Sequence, residues 1–358
     1  MTAGLSVADL FSGTGGLGLG FTEAGFKAKF ALDFDWDAVH NYALYSSGIR
    51  WVCKDIRKVS AGEIRDVSGL AKGDLDVLVA GIPCEGYSLL NRRYDPSDPR
   101  NYLFLEFVRI ARALAPRAVV IENVPGLARR ANGEFKDAIE EALKKLGYEV
   151  SAFKLNASEF GVPQRRIRLF FVGILEGSFE QPKPTHQDLS DDRLDKHIPG
   201  MSPRVTVHDA ISDLPPLRPG ESKTEYESEP TTDFQRAIRK GSHVLSNHSA
   251  PSHPEWTVRM ISETSQGEPL YGTFKQRIRL KWDEPAPTIP AGGVRPQWFF
   301  AHPEQARGLT VREMARLQSF PDRYAFHGSL IKQRVLVGDA VPPLLARAIA
   351  DSVKRALG

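Results

Sequence analysis

Cys84 is the residue of the sequence best suited to covalent chemistry, and the only other cysteine is Cys53. It lies in Gly81-Ile-Pro-Cys-Glu-Gly-Tyr-Ser88, directly after the apolar run Val77–Ala80, which is typical of a buried strand. Open α/β sheets bind their ligands at the carboxyl ends of such strands. A thiol in an exposed turn near cationic groups gains the thiolate character and the access that nucleophilic catalysis needs. Because an inert core thiol fits this position poorly, Cys84 is predicted to be a nucleophile.

Two further charged segments could complete the chemistry of this thiol. Glu122 ends the next apolar run, Ala118–Glu122, where a charged side chain is expected either to bond a ligand or to tether a loop. In Gln164-Arg-Arg-Ile-Arg168, strand alternation predicts that Gln164, Arg166 and Arg168 share one face while Arg165 points elsewhere. Two arginines beside a cysteine and a carboxylate would bind an anion or a base; the alternative is a solvated basic edge strand.

A glycine-rich segment, Asp9-Leu-Phe-Ser-Gly-Thr-Gly-Gly16, follows an apolar run and precedes a helix predicted at Leu17–Ala24. Its glycines let the backbone turn tightly and approach a ligand closely. Asp33, at the end of the second predicted strand, has the position of an acidic residue that binds ribose hydroxyls. These residues leave open a dinucleotide, a mononucleotide, adenosylmethionine, or a turn without a ligand. No lysine follows the glycines as in a phosphate-binding loop, and Asp9 would repel an anion, so a cationic ligand is favoured.

Alternating apolar runs and helical patterns must position these groups. The alternation predicts an α/β fold with a doubly wound parallel sheet. A turn at Gly338–Pro343 is expected to lead into a final helix, with prolines tolerated in its first turn. Strands are predicted at Leu5–Phe11, Ala28–Asp33, Val77–Ala80, Ala118–Glu122 and Arg168–Ile174, and helices at Leu103–Leu114, Phe135–Leu146, Gly308–Pro321 and Val341–Leu357.

The length of 358 residues allows two domains, and the composition changes after about Gly177. Residues 180–281 are rich in proline, hold an acidic cluster at 221–229 and show little periodicity, which predicts a second, irregular domain. We therefore expect domains at 1–179 and 180–281, with 282–358 returning to the first. Six of the nine histidines lie in the middle region without cysteine partners or tight metal spacing, so no metal is expected: His186, His197, His208, His243, His248 and His253.

The bulk composition excludes several classes of protein. Two cysteines provide neither a disulfide framework nor a thiolate metal site. No apolar run reaches the roughly 18 residues of a membrane span, and the start of the chain lacks a signal-peptide pattern, so a cytoplasmic protein is expected. The 47 basic and 44 acidic residues give a net charge of +3, which neither requires nor excludes a nucleic-acid partner.

Six segments, in this order, resemble the DNA cytosine-C5 methyltransferase family. DLFSGTGG is similar to its adenosylmethionine loop, GIPCEGYS to its nucleophile motif, ENV to its base-binding motif and QRRIR to its Gln-x-Arg-x-Arg. Residues 307–322 resemble its late structural motif, and Gly338-Asp-Ala-Val-Pro-Pro343 its closing motif. The resemblance covers nearly the whole chain except the middle region, which corresponds to the family's target-recognition domain. It implies an adenosylmethionine-dependent fold with a doubly wound mixed sheet.

The resemblance implies a mechanism for the four candidate catalytic residues. The Cys84 thiolate would add to C6 of a flipped-out cytosine and make C5 nucleophilic. Glu122 would hold N3 and the exocyclic amine, and Arg166 and Arg168 would fix O2, a phosphodiester and the thiolate. S-adenosyl-L-methionine would supply the methyl group and leave as S-adenosylhomocysteine. Its expected contacts are Phe11, Gly13, Thr14, Gly16, Asp33, Phe34, Asp55, Ile56, Leu103, Asp339 and Ala340; the expected DNA contacts are Pro83, Ser88, Arg92, Asn123 and Gln164.

Two residues depart from the family pattern, because Glu85 replaces the usual Gln after the cysteine and Asp339 replaces the usual Asn of the closing motif. A carboxylate beside the thiol would raise the pKa of that thiol and repel phosphates, whereas Asp339 could meet the cofactor ammonium. The expected substrate is a specific sequence in double-stranded DNA, methylated by a monomer, either as an orphan or beside a separately encoded restriction endonuclease. The alternatives are a tRNA cytosine-C5 methyltransferase, whose Cys-Phe-Thr element is not found, a silent DNA-binding relative, and a nicotinamide-dependent dehydrogenase.

Overall fold

The computed structural model describes residues 4–46, 48–83, 98–128, 133–187, 198–291 and 300–358. They form two compact units. The first comprises Met1–Asn156, Ile167–Lys183 and Pro343–Gly358, and the second comprises Ala157–Arg166 and Pro184–Pro342. The division by contacts therefore places most of 282–358 with the middle region, whereas the sequence expectation assigned that stretch to the catalytic domain. No helix among the described residues is long and apolar enough to cross a membrane.

A seven-stranded mixed sheet forms the centre of the first unit, in the order β3-β2-β1-β4-β5-β8-β6. Strands β1 to β5 pair in parallel, and β8 runs antiparallel to both β5 and β6. This confirms the doubly wound α/β fold, with the mixed sheet that the family resemblance implied and not the all-parallel one that alternation alone suggested. The strands are β1 (Ser6–Leu10), β2 (Lys27–Asp33), β3 (Arg50–Cys53), β4 (Val77–Gly81), β5 (Ala118–Asn123), β6 (Glu149–Asn156) and β8 (Ile167–Ile174).

Helices cover the sheet because each buries one apolar stripe. In α4 the buried residues recur at helical spacing, from Phe104 and Phe107 to Leu114. The last helix, α11, begins at Pro343, where the missing N–H removes no helical hydrogen bond. It packs so closely on α1 that a Cβ on Gly20 would lie 2.4 Å from Ala346 Cβ. The helices of this unit are α1 (Gly16–Glu23), α2 (Trp36–Tyr45), α3 (Ala61–Ser68), α4 (Leu103–Leu114), α5 (Glu134–Lys144) and α11 (Pro343–Leu357).

Short helices and two-residue strands make up the second unit. Its helices are α6 (Val207–Ile211), α7 (Asp233–Arg239), α8 (Glu255–Glu263), α9 (Val311–Leu317) and α10 (Leu330–Asp339). Its strands are β7 (Gln164–Arg165), β9 (His186–Gln187), β10 (Ser202–Pro203), β11 (Ile278–Arg279), β12 (Ala286–Pro287) and β13 (Phe300–Ala301). The helix predicted at Gly308–Pro321 is shorter, because Thr310 caps its start with a capping box and Ser319 takes a positive φ of 62° after its end.

Buried ion pairs stabilise the second unit around α9. The Arg307 guanidinium donates to both carboxylate oxygens of Glu313, at 2.9 and 2.7 Å. Arg316 pairs with Asp322 at 2.7 Å and with Asp213, and all of these side chains are buried. A buried charge that loses its partner destabilises a protein by about 3–5 kcal/mol, so these pairs hold the late motif in place. The motif therefore has a structural role, as its resemblance implied.

Candidate active site

The glycine segment between β1 and α1 turns through three left-handed residues, with φ of 52° at Phe11, 51° at Gly13 and 80° at Gly15. Gly15 also lies against the Tyr42 ring, since a Cβ there would come within 2.3 Å of it. Asp33, at the end of β2, accepts a hydrogen bond from the Gly13 N–H at 2.8 Å. The carboxyl end of β2 thereby fixes the turn, as expected for a loop whose backbone contacts a ligand.

Two buried carboxylates face this turn. Burial raises the pKa of Asp9 well above its usual value; a hydrogen bond from the Gly18 N–H opposes that rise and the charge of Asp33 adds to it. Burial also raises the pKa of Asp33, against the hydrogen bonds from Asp35 and Gly13. Among the described residues, Asp9 Oδ1 and Ser12 Oγ are buried and have no hydrogen-bond partner. A ligand with a cationic ammonium and sulfonium fits such a site, because it would satisfy the acceptors and favour the ionised carboxylates.

Exposed aromatic rings follow Asp33 at the same edge of the sheet. Phe34 is 71% exposed and Trp36 is 55% exposed, and Trp36 packs edge-to-face on Trp51 with the centroids 5.5 Å apart. Asp35, half-buried between them, is the N-cap of α2, and its side chain accepts a hydrogen bond from the Asp37 N–H. The sequence interpretation chose Asp33 and Phe34 and missed Asp35 and Trp36. The sequence repeats an acidic–aromatic pair, since Asp33-Phe34 is followed directly by Asp35-Trp36. The Asp35 side chain is more accessible than that of the buried Asp33.

The remaining residues expected at the cofactor differ in accessibility. Asp55 begins a short 3-10 helix and pairs with Arg57 at 2.6 Å, and Ile56 is 3% exposed within the core. Leu103 is partly buried against the same core at the start of α4. Thr14 and Gly16 are buried at the glycine turn. In the second unit, Asp339 is exposed at the last position of α10, and Ala340 is 8% exposed.

Glu122 and Arg168 form a nearly buried ion pair at the carboxyl end of β5. Arg168 Nε lies 2.8 Å from Glu122 Oε1, with 12% and 11% of the two side chains exposed. Gly81 is paired with Glu122 across β4 and β5, and a Cβ there would lie 3.6 Å from Glu122 Oε2. Even a methyl group at this position would therefore be in van der Waals contact with the carboxylate. Gly81 is thus a neighbour of Glu122 that motif matching did not single out, although the glycine lies two residues before Pro83.

Asn123 fixes the segment that leads to the predicted nucleophile. Its Nδ2 donates to the Ile82 carbonyl at 3.3 Å, and its Oδ1 accepts from the Val124 N–H at 2.8 Å. Pro83, half-buried, is the last described residue of this segment. The asparagine of the ENV motif therefore tethers the strand end beside Glu122. The predicted site residues Cys84, Ser88 and Arg92, together with Glu85, lie outside the described residues.

Gln164 and Arg166 lie in the second unit and are buried, with 0% and 1% exposed. Both make hydrogen bonds to backbone atoms of other segments of that unit. Arg165 points to solvent and pairs with Glu284 at 2.8 Å, so it faces away from Gln164 and Arg166, as alternation predicted. The structure therefore brings Glu122 and Arg168 together in the first unit, and Arg166 donates to backbone carbonyls of the second unit.

The geometry at the strand ends agrees with comparisons to known proteins. Residues 5–355 match the model of the family described as C-5 cytosine-specific DNA methylase. The chain is 32% identical to the type II methyltransferase M.AgeI of Thalassovita gelatinovora, over 99% of this chain and 100% of that protein. It is 35% identical to M1.HphI of Haemophilus parahaemolyticus, over 98% of this chain and 86% of that protein.

Solved structures show the same fold. A protein from an E. coli prophage, described as a DNA modification methyltransferase, superposes with a TM-score of 0.79 at 27% identity, over 99% of both chains. The Dnmt2 methyltransferase of S. pombe superposes with a TM-score of 0.63 at 17% identity, over 99% of this chain and 100% of that one, and supports the fold alone. The tRNA-modifying, silent and dehydrogenase alternatives are not favoured by these matches. The chain belongs to the C-5 cytosine-specific DNA methylase family and is a DNA cytosine-C5 methyltransferase.

Proposed function

We propose that the protein methylates C5 of a cytosine flipped out of a specific duplex DNA sequence, through a covalent bond between Cys84 and C6. The observation that carries this proposal is the Glu122–Arg168 pair at 2.8 Å, at the carboxyl end of β5 and beside the tethered segment that ends at Pro83. Cys84 follows Pro83 directly in the sequence. A carboxylate and a guanidinium at that place can hold the polar edge of a pyrimidine while its carbon atoms react.

Residues of this chain support the addition to C6 and the charge that develops on the ring. The Cys84 thiolate adds its electron pair to C6, and the ring then carries the added electron density towards C5, N3 and O2. Glu122 holds N3 and the exocyclic amine, and Arg168 stabilises the charge that develops on O2. After C5 has gained its methyl group, a solvent water accepts the C5 proton, the C5–H electron pair re-forms the C5–C6 double bond, and the C6–S bond breaks to release the Cys84 thiolate. Flipping the base costs a few kcal/mol of unstacking, which these contacts must offset.

The glycine turn is proposed to hold S-adenosyl-L-methionine, with S-adenosylhomocysteine as the product. When bound, this cofactor supplies an electrophilic methyl group on a sulfonium. The buried Asp9 and Asp33 carboxylates suit its positive charge, and the turn at Phe11 and Gly13 exposes backbone to it. On the adenosine side we add Asp35 and Trp36 to the expected Phe34, Asp55, Ile56 and Leu103, since both are accessible at the strand end.

DNA recognition is assigned to the second unit, and a hairpin within it supports this assignment. Residues 268–279 form antiparallel hydrogen bonds, including Leu270 N–H to the Arg277 carbonyl at 2.7 Å. The exposed tip carries Phe274 and Lys275, and the Arg277 guanidinium lies 4.3 Å from the centre of the Phe274 ring. Basic groups contact phosphates or guanine edges, and an aromatic ring can stack on a base.

The hairpin is held rigidly at its base. Arg279 donates to the Ile261 carbonyl at 3.1 Å, the Thr264 carbonyl at 2.8 Å and the Glu304 carbonyl at 2.7 Å. A fixed base lets the tip side chains keep one register on the duplex. The type II names of the relatives support a role in restriction and modification, with a monomeric enzyme and a separately encoded endonuclease as the proposed context.

Labelled adenosylmethionine, offered with duplex DNA or with tRNA, tests the proposed function. We expect label in 5-methylcytosine of duplex DNA at one sequence context, and none in tRNA. Cys84→Ala should abolish transfer, with Cys53→Ala as the matched control that keeps it. Label in tRNA, or methylation at C5 by the Cys84→Ala variant, would overturn the substrate or the nucleophile respectively.

A further inference from the structure

The Arg166 guanidinium donates hydrogen bonds to backbone carbonyls of two separate segments. Its Nη1 donates to the Ile289 carbonyl at 2.9 Å. Its Nη2 donates to the Gly338 carbonyl at 2.9 Å and to the Ala340 carbonyl at 3.1 Å. The side chain is 1% exposed. Both amino groups of the guanidinium therefore donate to backbone carbonyls of the protein itself.

Two glutamines extend these contacts into a connected network. Gln164 Oε1 accepts from the Ile289 N–H at 2.9 Å, and its Nε2 donates to Gln318 Oε1 at 3.0 Å. Gln318 Nε2 donates in turn to the Val337 carbonyl at 2.7 Å. All three polar side chains are buried. The network therefore joins the backbone at Ile289 to the backbone of 337–340, which we call the α10 end.

The α10 end needs such partners because the last carbonyls of a helix have no partner within it. A cation there also interacts favourably with the helix dipole. The approach of the two segments leaves no room for adjustment: a Cβ on Gly338 would lie 2.3 Å from the Pro290 carbonyl oxygen and 2.5 Å from Ala291 Cα. The α10 end is consequently fixed in position by side-chain hydrogen bonds and by direct backbone packing.

We propose that Arg166 is a positioning residue and not a base-contacting one: with Gln164 and Gln318 it sets the α10 end, and so Asp339 and Ala340, for cofactor binding. This rests on the proposed function, with S-adenosylmethionine as the cofactor, and on the family resemblance, which implies Asp339 and Ala340 as contacts of that cofactor. The Gln-x-Arg-x-Arg motif is thereby divided. Arg168 serves the pyrimidine beside Glu122, and the first two residues of the motif serve the α10 end.

The affinity for the cofactor, measured without DNA, distinguishes the positioning role of Arg166 from the base-contacting role of Arg168. We expect Arg166→Lys to weaken S-adenosylhomocysteine binding, measured by titration calorimetry, by about tenfold or more, because the single ammonium nitrogen of lysine cannot replace the two separate guanidinium nitrogens that reach Ile289 and the α10 end. Arg168→Lys should leave that affinity within about twofold and lower kcat on duplex DNA instead. The surface variant Arg165→Lys is the matched control and should change neither quantity.

Two further variants keep the test decisive if Arg166→Lys does not fold. Gln318→Met removes the side-chain donor to the Val337 carbonyl, and Gly338→Ala forces the α10 end away from Pro290. Both variants should bind S-adenosylhomocysteine more weakly while circular dichroism shows that they are folded. Gly62→Ala, in α3 where the nearest foreign atom would lie 3.7 Å away, is the matched glycine control. Unchanged cofactor affinity in the folded variants overturns the positioning role alone. Wild-type protein that binds no S-adenosylhomocysteine overturns the cofactor assignment and, with it, this proposal.

Discussion

Replacing Glu122 with Gln tests the chemistry at the end of β5 most informatively. The Glu122 carboxylate lies 2.8 Å from Arg168 Nε, and only 11% of the glutamate side chain is exposed. Glutamine keeps the shape and one acceptor oxygen, so the hydrogen bond can persist while the charge is lost. A buried charge without its partner costs about 3–5 kcal/mol, and the retained hydrogen bond should limit the loss of folding stability to about 1–2 kcal/mol.

The expected catalytic loss is larger than the loss of stability. Removal of one group that stabilises charge in a transition state lowers kcat by about 10²–10³, equivalent to about 2.7–4 kcal/mol. The assay is kcat for methyl transfer to duplex DNA, with melting temperature and S-adenosylhomocysteine affinity measured on the same protein. Glu284→Gln is the matched control, since Glu284 also pairs with an arginine at 2.8 Å but on the surface, where such pairs contribute about 0–1 kcal/mol. A Glu122→Gln variant with wild-type kcat would refute the proposed role.

Three further predictions concern stability and DNA binding. Arg316→Met should lower the free energy of unfolding by about 3–5 kcal/mol in urea titrations, because it removes the guanidinium that the buried Asp213 and Asp322 carboxylates share and leaves them the longer ion pairs of 3.1 Å to Arg239 and 3.5 Å to Arg312; a loss below about 1 kcal/mol would contradict this. Lys275→Ala at the hairpin tip should weaken DNA binding and reduce the slope of log K against log salt by about 1, and an unchanged slope would remove the hairpin from the interface. Burial lowers the pKa of His302 to about 3, so the contribution of this residue to stability is complete above pH 6.5 and falls by about 2 kcal/mol at pH 5. His302→Gln should reduce the loss of stability with falling pH in urea titrations without abolishing it, because burial also lowers the pKa of His248 and lowers that of His253 to about 4; an unchanged pH dependence would contradict this.

Helices whose apolar residues lie on one face could be predicted from the sequence. The helix predicted at Leu103–Leu114 has those bounds in the structure, because its apolar residues recur on a single face against the sheet. Helix α10, at Leu330–Asp339, was missed and the turn was predicted to begin at Gly338 instead. Its buried residues include Arg334 and Gly338 as well as Leu336 and Val337, so no apolar stripe marks it as a helix.

Strands at the margins of the sheet were harder to predict than central ones. Central β4 and β5 are buried along their length and appear as continuous apolar runs, which is typical of parallel strands covered on both faces. The edge strands β3 and β6 mix buried, half-buried and exposed residues and carry charged side chains. Neither a continuous run nor a strict alternation identifies them.

The site could be predicted where position along a strand determines the environment. Glu122 ends a buried strand, and the strand-end rule placed it where the structure does. Alternation placed Gln164 and Arg166 on one face but could not say what fills that face, since their partners Ile289 and Gly338 are more than 120 residues away in the chain. Such partners depend on tertiary packing, which local sequence patterns do not encode.

Trapping on DNA that contains 5-fluorocytosine is the most direct measurement of the central claim. Fluorine at C5 cannot leave as a proton does, so an enzyme that attacks C6 stays bound to the methylated base. We predict a denaturation-resistant complex that forms only with S-adenosylmethionine present, contains the peptide around Cys84, and is abolished in Cys84→Ala but not in Cys53→Ala. Methylation of ordinary DNA without any such complex, or a complex through another residue, would contradict the account.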